Sequence, residues 1–168
     1  GQKKDGVHLG GDYLCPLFTS HITSPNITFV DPLHLTTYEE GWQDDYNILY
    51  DLLCSKGKYI LLGGDHSIGQ PSVAASMTKV DKVENLYVLW IDAHSDTNTK
   101  ETSITGNYHG MPLAGLRGYE KTWFPTTSIL PKSNLLYFGI RGMDPFELKK
   151  NAEDNTYSTS ILDELIYK

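Results

Sequence analysis

Residues 90–98 read Trp-Ile-Asp-Ala-His-Ser-Asp-Thr-Asn, placing Asp92, His94 and Asp96 at alternate positions. Two carboxylates and an imidazole form a ligand set for a divalent cation. Alternate side chains of an extended segment share a face. The three are therefore expected to converge just past a strand formed by the apolar run 86–91. Oxygen and nitrogen donors without a thiolate suit manganese better than a soft-ligand metal. A second cluster, Gly63-Gly64-Asp65-His66-Ser67, follows the apolar run 59–62. In open α/β sheets, sites gather at the carboxyl ends of strands, which puts His66 on the same rim. Each motif alone also has a plainer reading. Asp-x-His-x-Asp is short, and Gly-Gly-Asp-His-Ser suits a turn capped by its Asp or Ser. Their joint occurrence, each after a strand-like run, favours a metal site of His66, Asp92, His94 and Asp96. Asp65 and Ser67 are expected to brace the turn.

The elements that must position these residues alternate along the chain. Strands are expected at 27–30, 59–62, 86–91 and 135–140. The unbroken apolar run at 86–91 predicts burial on both faces. Helices are expected at 38–55, where Trp42, Tyr46, Leu49 and Leu53 approach helical spacing, and at Gly69–Met77, where Pro71 is tolerated in the first turn. Further helices are expected at 145–152 and at 160–167, the latter capped by Ser160. The rhythm predicts an α/β fold, a parallel sheet flanked by helices on both faces. Residues 97–109 form a long polar connection beside the metal motif, as a substrate-facing loop would. Residues 123–132, with two prolines, read as a surface loop. Arg141, a single arginine after a strand, is expected in a structural ion pair.

With these motifs in order, the chain resembles the ureohydrolases, the family of arginase and agmatinase, and arginase most closely. Gly63-Gly64-Asp65-His66-Ser67 is similar to the family's first metal motif and Asp92-Ala93-His94-Ser95-Asp96 to its second. Asn98, Gly106-Asn107-Tyr108-His109-Gly110, and Gly139-Ile140-Arg141 through Asp144-Pro145 to Glu147 continue the likeness. Gly1-Gln2 and Gly6-Val7 resemble the loop after the family's first strand. The family's third metal motif, Ser-x-Asp-x-Asp, has no counterpart, and no Asp-x-Asp occurs in the sequence. The resemblance thus implies one arginase-like domain over 1–168, incomplete and truncated at both ends. Metal A would keep His66, Asp92 and Asp96; metal B would keep only His94 and the shared Asp92. It implies two Mn²⁺ ions in a complete site and weak or partial occupancy here. His109 resembles the proton-shuttle histidine, against the alternative of a loop histidine with no catalytic task. Asp96 joins it on the catalytic side. Asn98 and Thr105 resemble residues that meet a substrate α-carboxylate. Asp144 resembles the group receiving the α-amino end, supported by Glu147, although Asp144-Pro145 also reads as a helix start.

Composition narrows the function classes. The chain has 168 residues, 39% hydrophobic and 21% charged, with a formal net charge of −7. The length suits one core, and the acidic balance argues against nucleic acid or an anionic membrane surface as partner. No apolar run reaches membrane-spanning length. Cys15 and Cys54 form neither a disulfide framework nor a zinc site. Two functions follow. One is binuclear-manganese hydrolysis of a guanidino substrate, L-arginine to L-ornithine and urea, with the missing ligands supplied from elsewhere. The other is an inactive arginase-like pseudoenzyme, a structural or binding subunit of a larger assembly. Both imply an oligomer or assembly in an intracellular compartment, cytoplasmic or an organellar matrix.

Overall fold

Val88–Ile91 (β1) and Leu135–Phe138 (β2) pair as parallel strands, with Trp90 opposite Tyr137 and Leu89 opposite Leu136. The computed structural model describes residues 6–22, 24, 28, 30, 33, 42–120 and 128–154. Around the two strands lie α1 (Gly10–His21), α2 (Trp42–Cys54), α3 (Gly69–Met77), α4 (Pro112–Leu116) and α5 (Pro145–Asp154). The architecture is α/β, a parallel sheet with helices. Residues 27 and 29 of the strand expected at 27–30, the first residues of the helix expected at 38–55, the helix at 160–167 and half of the loop at 123–132 lie outside the described residues; 28 and 30, which are described, are not in a strand.

Helix α2 forms because its apolar side chains recur on one face. Trp42, Tyr46, Leu49 and Leu53 are all buried, a stripe of helical period. They pack against α3, whose small Ala74 and Ala75 allow the two helices to approach closely. Pro71 sits in the first turn of α3, where its missing N–H breaks no helical bond. The main core joins Trp42, Tyr46 and Met77 to Trp90, Tyr108, Met111, Leu113, Leu116, Leu130, Leu135 and Tyr137. Trp42 stacks on Tyr108 at 5.1 Å between centroids.

Two expectations differ from the structure. The 59–62 segment is not a ladder strand; among the described residues nothing pairs with it. Side chains hold it instead. Tyr59 and Leu61 pack on the cluster of Leu49, Leu53 and Ala75, and the Tyr59 hydroxyl donates to the Ser72 carbonyl at 2.7 Å. Secondly, 86–91 is not buried on both faces. The pleat turns Trp90 inward with Leu135 and Tyr137, whereas Leu89, Ile91 and Leu136 remain 56%, 66% and 42% exposed. The described elements therefore cover one face of this pair. Helix α1, in turn, was not among the expected elements. Gly10, Gly11 and Pro16 are poor helix residues, and α1 buries no side chain, so no apolar face announced it. Its start is fixed by backbone contact: a Cβ on Gly10 would lie 2.9 Å from the Gly63 carbonyl. Glycine permits that approach and seats α1 against the turn that leads to His66.

Trp90 links this core to the site. It is 4% exposed, and its indole stacks on the His66 ring at 4.3 Å. Trp90→Ala is expected to cost about 3–5 kcal/mol, the usual range for a buried aromatic. Chemical denaturation of the two proteins checks this; a loss under about 1 kcal/mol would mean that the site collapses freely around the void.

Candidate metal centre

His66 opens a 3₁₀ turn, His66–Ile68. Asp65 caps that turn: its Oδ1 accepts from the Ser67 amide at 3.0 Å and from the Ser67 hydroxyl at 2.5 Å. Asp65 and Ser67 thus brace the ligand's backbone, as expected. Asp92 follows β1 directly. Its amide donates to the Phe138 carbonyl at 3.0 Å, and the amides of Arg141 and Gly142 both donate to the Ala93 carbonyl at 2.9 Å. The β1–β2 pairing therefore extends into the motif. A Cβ on Gly142 would lie 3.2 Å from the His94 ring, so that ring is seated over glycine.

The carboxylates do not converge by strand alternation. The chain bends after Ile91, and Asp96 has φ of 51°, a left-handed conformation unusual for a residue with a side chain. This bend, rather than an extended face, sets the ligand geometry. His66 Nδ1 lies 2.8 Å from Oδ2 of Asp92 and 2.8 Å from Oδ2 of Asp96. The three donor atoms lie within 4.8 Å of one another. His66 Nδ1 and Asp96 Oδ2 are buried, and neither contact has hydrogen-bond geometry. His94 stands apart from this group. Its ring Nδ1 is 3.5 Å from the other Asp92 oxygen, Oδ1, and its side chain is largely exposed. Asp92 thus presents one oxygen to His66 and Asp96 and the other to His94.

A cleft of about 390 Å³ opens beside the cluster, between the 97–109 loop and the start of α5. His94, Asp96, Asn98, Thr105, His109, Asp144 and Glu147 all line it. Thr105 is exposed, and its Oγ1 accepts from the Asn107 amide at 3.3 Å. Asn98 is engaged at both ends of its amide: Nδ2 donates to Asp144 Oδ2 at 2.6 Å, and Oδ1 accepts from the Thr102 hydroxyl at 3.0 Å. The expected cap at Asp144 is present, since its Oδ1 accepts from the amides of Phe146 and Glu147, each at 3.0 Å. Arg141 is exposed and donates to the Gly139 carbonyl at 3.0 Å; among the described residues no carboxylate pairs with it. Ser103, Ile104 and Met143, none of them singled out in the sequence, also line the cleft, as does Asn107 of the Gly106–Gly110 motif. Ser103 carried a usable signal, two positions before Thr105 in the same polar loop.

The charges in this site are strongly coupled. Burial pushes the Asp96 carboxyl up to about 6, against the pull of His66. Burial draws His66 down, but the contacts with Asp96 and Asp92 outweigh it and leave the ring above its ordinary value. His109 is lowered, chiefly by burial, which favours the neutral imidazole near neutral pH. The metal-free protein should therefore lose stability as pH rises from 3.8 through about 6. In that window the folded chain binds a proton at Asp96 that the unfolded chain has released. Raised His66 adds the same sign above its unfolded value of 6.5. Thermal melts in chelator check this: the Asp96→Asn variant should show a flatter profile across the window. Metal affinity runs the other way, rising with pH as the ligands lose their protons.

A profile of the Arginase family matches residues 21–165. The chain belongs to the arginase family. It is 37% identical to the arginase of Neurospora crassa over 118 residues, 64% of this chain and 33% of that protein. Thus the chain spans about a third of this curated relative. Two solved arginases share the fold. The Entamoeba histolytica enzyme, solved with L-ornithine, has a TM-score of 0.74 at 28% identity, covering 94% of this chain and 60% of that one. The Bacillus subtilis enzyme has a TM-score of 0.73 at 28% identity, covering 98% and 61%. The described residues therefore form part of the arginase fold, and among them no helix is long and apolar enough to cross a membrane.

Proposed function

We propose that the chain carries the metal-binding part of an arginase-like ureohydrolase, within one domain over 1–168, acting on a guanidino substrate such as L-arginine. The observation that carries the reading is the His66, Asp92 and Asp96 cluster: three donor atoms at mutual close range, two of them buried without hydrogen bonds. The three groups crowd at ion-pair distance around one point, and an O,O,N donor set fits Mn²⁺. His66, Asp92 and Asp96 would hold the first ion, and Asp92 with His94 would contribute to a second, weaker position. Such ions supply Lewis acidity for hydrolysis at a resonance-stabilised guanidinium carbon.

The remaining roles belong to the chain's own side chains. Asp96 serves catalysis as well as binding, because its carboxylate faces both the cluster and the cleft. His109, neutral near pH 7, accepts a proton in the cleft and returns it to the leaving amine. Asp144 receives the cationic α-amino end, oriented by Asn98 and supported by Glu147. Thr105, on the exposed rim, meets the α-carboxylate, with Asn98 nearby. The complete centre would need further carboxylates, which this chain's Asp-x-His-x-Asp and His66 motifs do not provide. A longer product or a partner chain in an oligomer would supply them, in a cytoplasmic or organellar-matrix setting.

A second reading, an inactive arginase-like subunit of a larger assembly, draws on the exposed His94, which stands outside the three-residue cluster. Urea release from L-arginine in Mn²⁺ separates the two, with Asp96→Ala as control. Turnover abolished in the control supports the hydrolase; bound metal with no turnover in any assembly supports the second reading.

A further inference from the structure

Glu147 is 4% exposed and belongs to α5, yet its carboxylate reaches across to the metal loop. Oε1 accepts from the Ser95 hydroxyl at 3.0 Å and from the Thr97 amide at 3.4 Å. Oε2 accepts from the Asp144 amide at 3.2 Å. Because Asp144 caps the Glu147 amide in return, the two form a reciprocal capping box at the start of α5. The Ser95 hydroxyl gives its proton to Glu147, so in its contact with the Thr97 hydroxyl, 2.9 Å away, it accepts. One buried carboxylate thus gathers the residues on both sides of Asp96.

Asp96 is the residue that needs such restraint. It is the described non-glycine residue with positive φ, a conformation that persists only where its surroundings over-determine it. Its carbonyl accepts from the Leu113 amide at 2.9 Å, which anchors one end of the bend. Ser95 and Thr97, both buried, have Glu147 as their shared acceptor. Asn98, the next residue but one, reaches Asp144 at 2.6 Å. The loop and the first turn of α5 are therefore joined by two neighbouring bridges.

We propose that Glu147 is a positioning residue for the metal centre, holding Asp96 in its left-handed bend through Ser95 and Thr97. This role is separate from any contact with substrate. The metal consequence rests on the hydrolase reading, while the backbone consequence does not. The geometry ties the carboxylate that orients the substrate end to the loop that orients the metal ligand. Displacing one bridge then disturbs the other.

The test uses the full chain and two readouts. Amide hydrogen exchange without metal reports the bend: Glu147→Ala should speed exchange at Thr97 by about tenfold or more, with the α2 and α3 amides unchanged. Mn²⁺ titration reports the ligand: affinity should fall by roughly 10–100-fold, as for other groups that orient a ligand from behind. The isosteric Glu147→Gln should show smaller effects of the same sign, and it decides the matter if the alanine variant does not fold. Ser95→Ala combined with Glu147→Ala should be strongly non-additive in both readouts. Unchanged Thr97 exchange, or full additivity, would overturn the proposal. So would faster exchange with unchanged affinity, since a cap for α5 alone would do that. If the parent chain binds no Mn²⁺, the hydrolase reading fails, and Thr97 exchange with its cycle alone decides the role of Glu147.

Discussion

Asp92→Ala will weaken Mn²⁺ binding by more than about 100-fold, beyond the loss usual for groups that only orient a ligand. His94→Ala will cost far less. The difference follows from the two oxygens of Asp92. Oδ2 sits 2.8 Å from His66 Nδ1, within the buried cluster, and Oδ1 sits 3.5 Å from the His94 ring. Removing the carboxylate empties both positions of a ligand. It also removes the acceptor for the His94 amide, bonded to Oδ1 at 2.8 Å, so the bend itself loosens. Removing the exposed His94 ring leaves His66, Asp92 and Asp96 intact. Titration calorimetry with Mn²⁺ near pH 8, where Asp96 is ionised, gives the two affinities. Equal losses in the two variants would show that the shared-ligand arrangement is wrong.

The sequence carried the chemistry of this site better than its geometry. Residue types and spacing named His66, Asp92 and Asp96, because few apolar runs end in such concentrated polar groups. The donors converge by a bend and not by strand alternation. Period-two alternation would have placed His94 beside the two aspartates, but the chain leaves the strand at Ile91 and turns left-handed at Asp96. Nothing local in Asp-x-His-x-Asp encodes that bend; its restraint comes from Glu147, about fifty residues away. Helices α2 and α3 were legible because one apolar stripe meets one run of small residues. Helix α1 was not legible, since its start depends on glycine backbones touching at Gly10 and Gly63. The 59–62 segment shows the reverse failure. Its β-like composition was genuine, but a strand also needs a partner, and side-chain packing is what holds it among the described residues.

Urea release from L-arginine by this chain alone, with added Mn²⁺, will be little or none. In a two-ion site most of the rate comes from positioning and from clamping the reacting oxygens between the ions. Among the described residues, a second position would have only Asp92 and the exposed His94. Supplying further carboxylates, from a longer product or a partner chain, should bring activity up by several orders of magnitude, of the order that correct positioning contributes. Asp96→Ala should then abolish it, since the variant loses a ligand of the better position. His109→Ala should lower it by about 10²–10⁴-fold, the usual contribution of general acid–base catalysis, without weakening the metal. Robust turnover by the chain alone, lost in Asp96→Ala, would mean that ligands beyond His66, Asp92, His94 and Asp96 complete the centre.

Whether His66, Asp92 and Asp96 hold a divalent cation is decided by equilibrium dialysis against Mn²⁺ followed by metal analysis. One ion per chain should fill first, a second should bind far more weakly, and both should be lost in Asp92→Ala. No bound ion at saturating Mn²⁺, or two ions held equally tightly, would contradict that assignment.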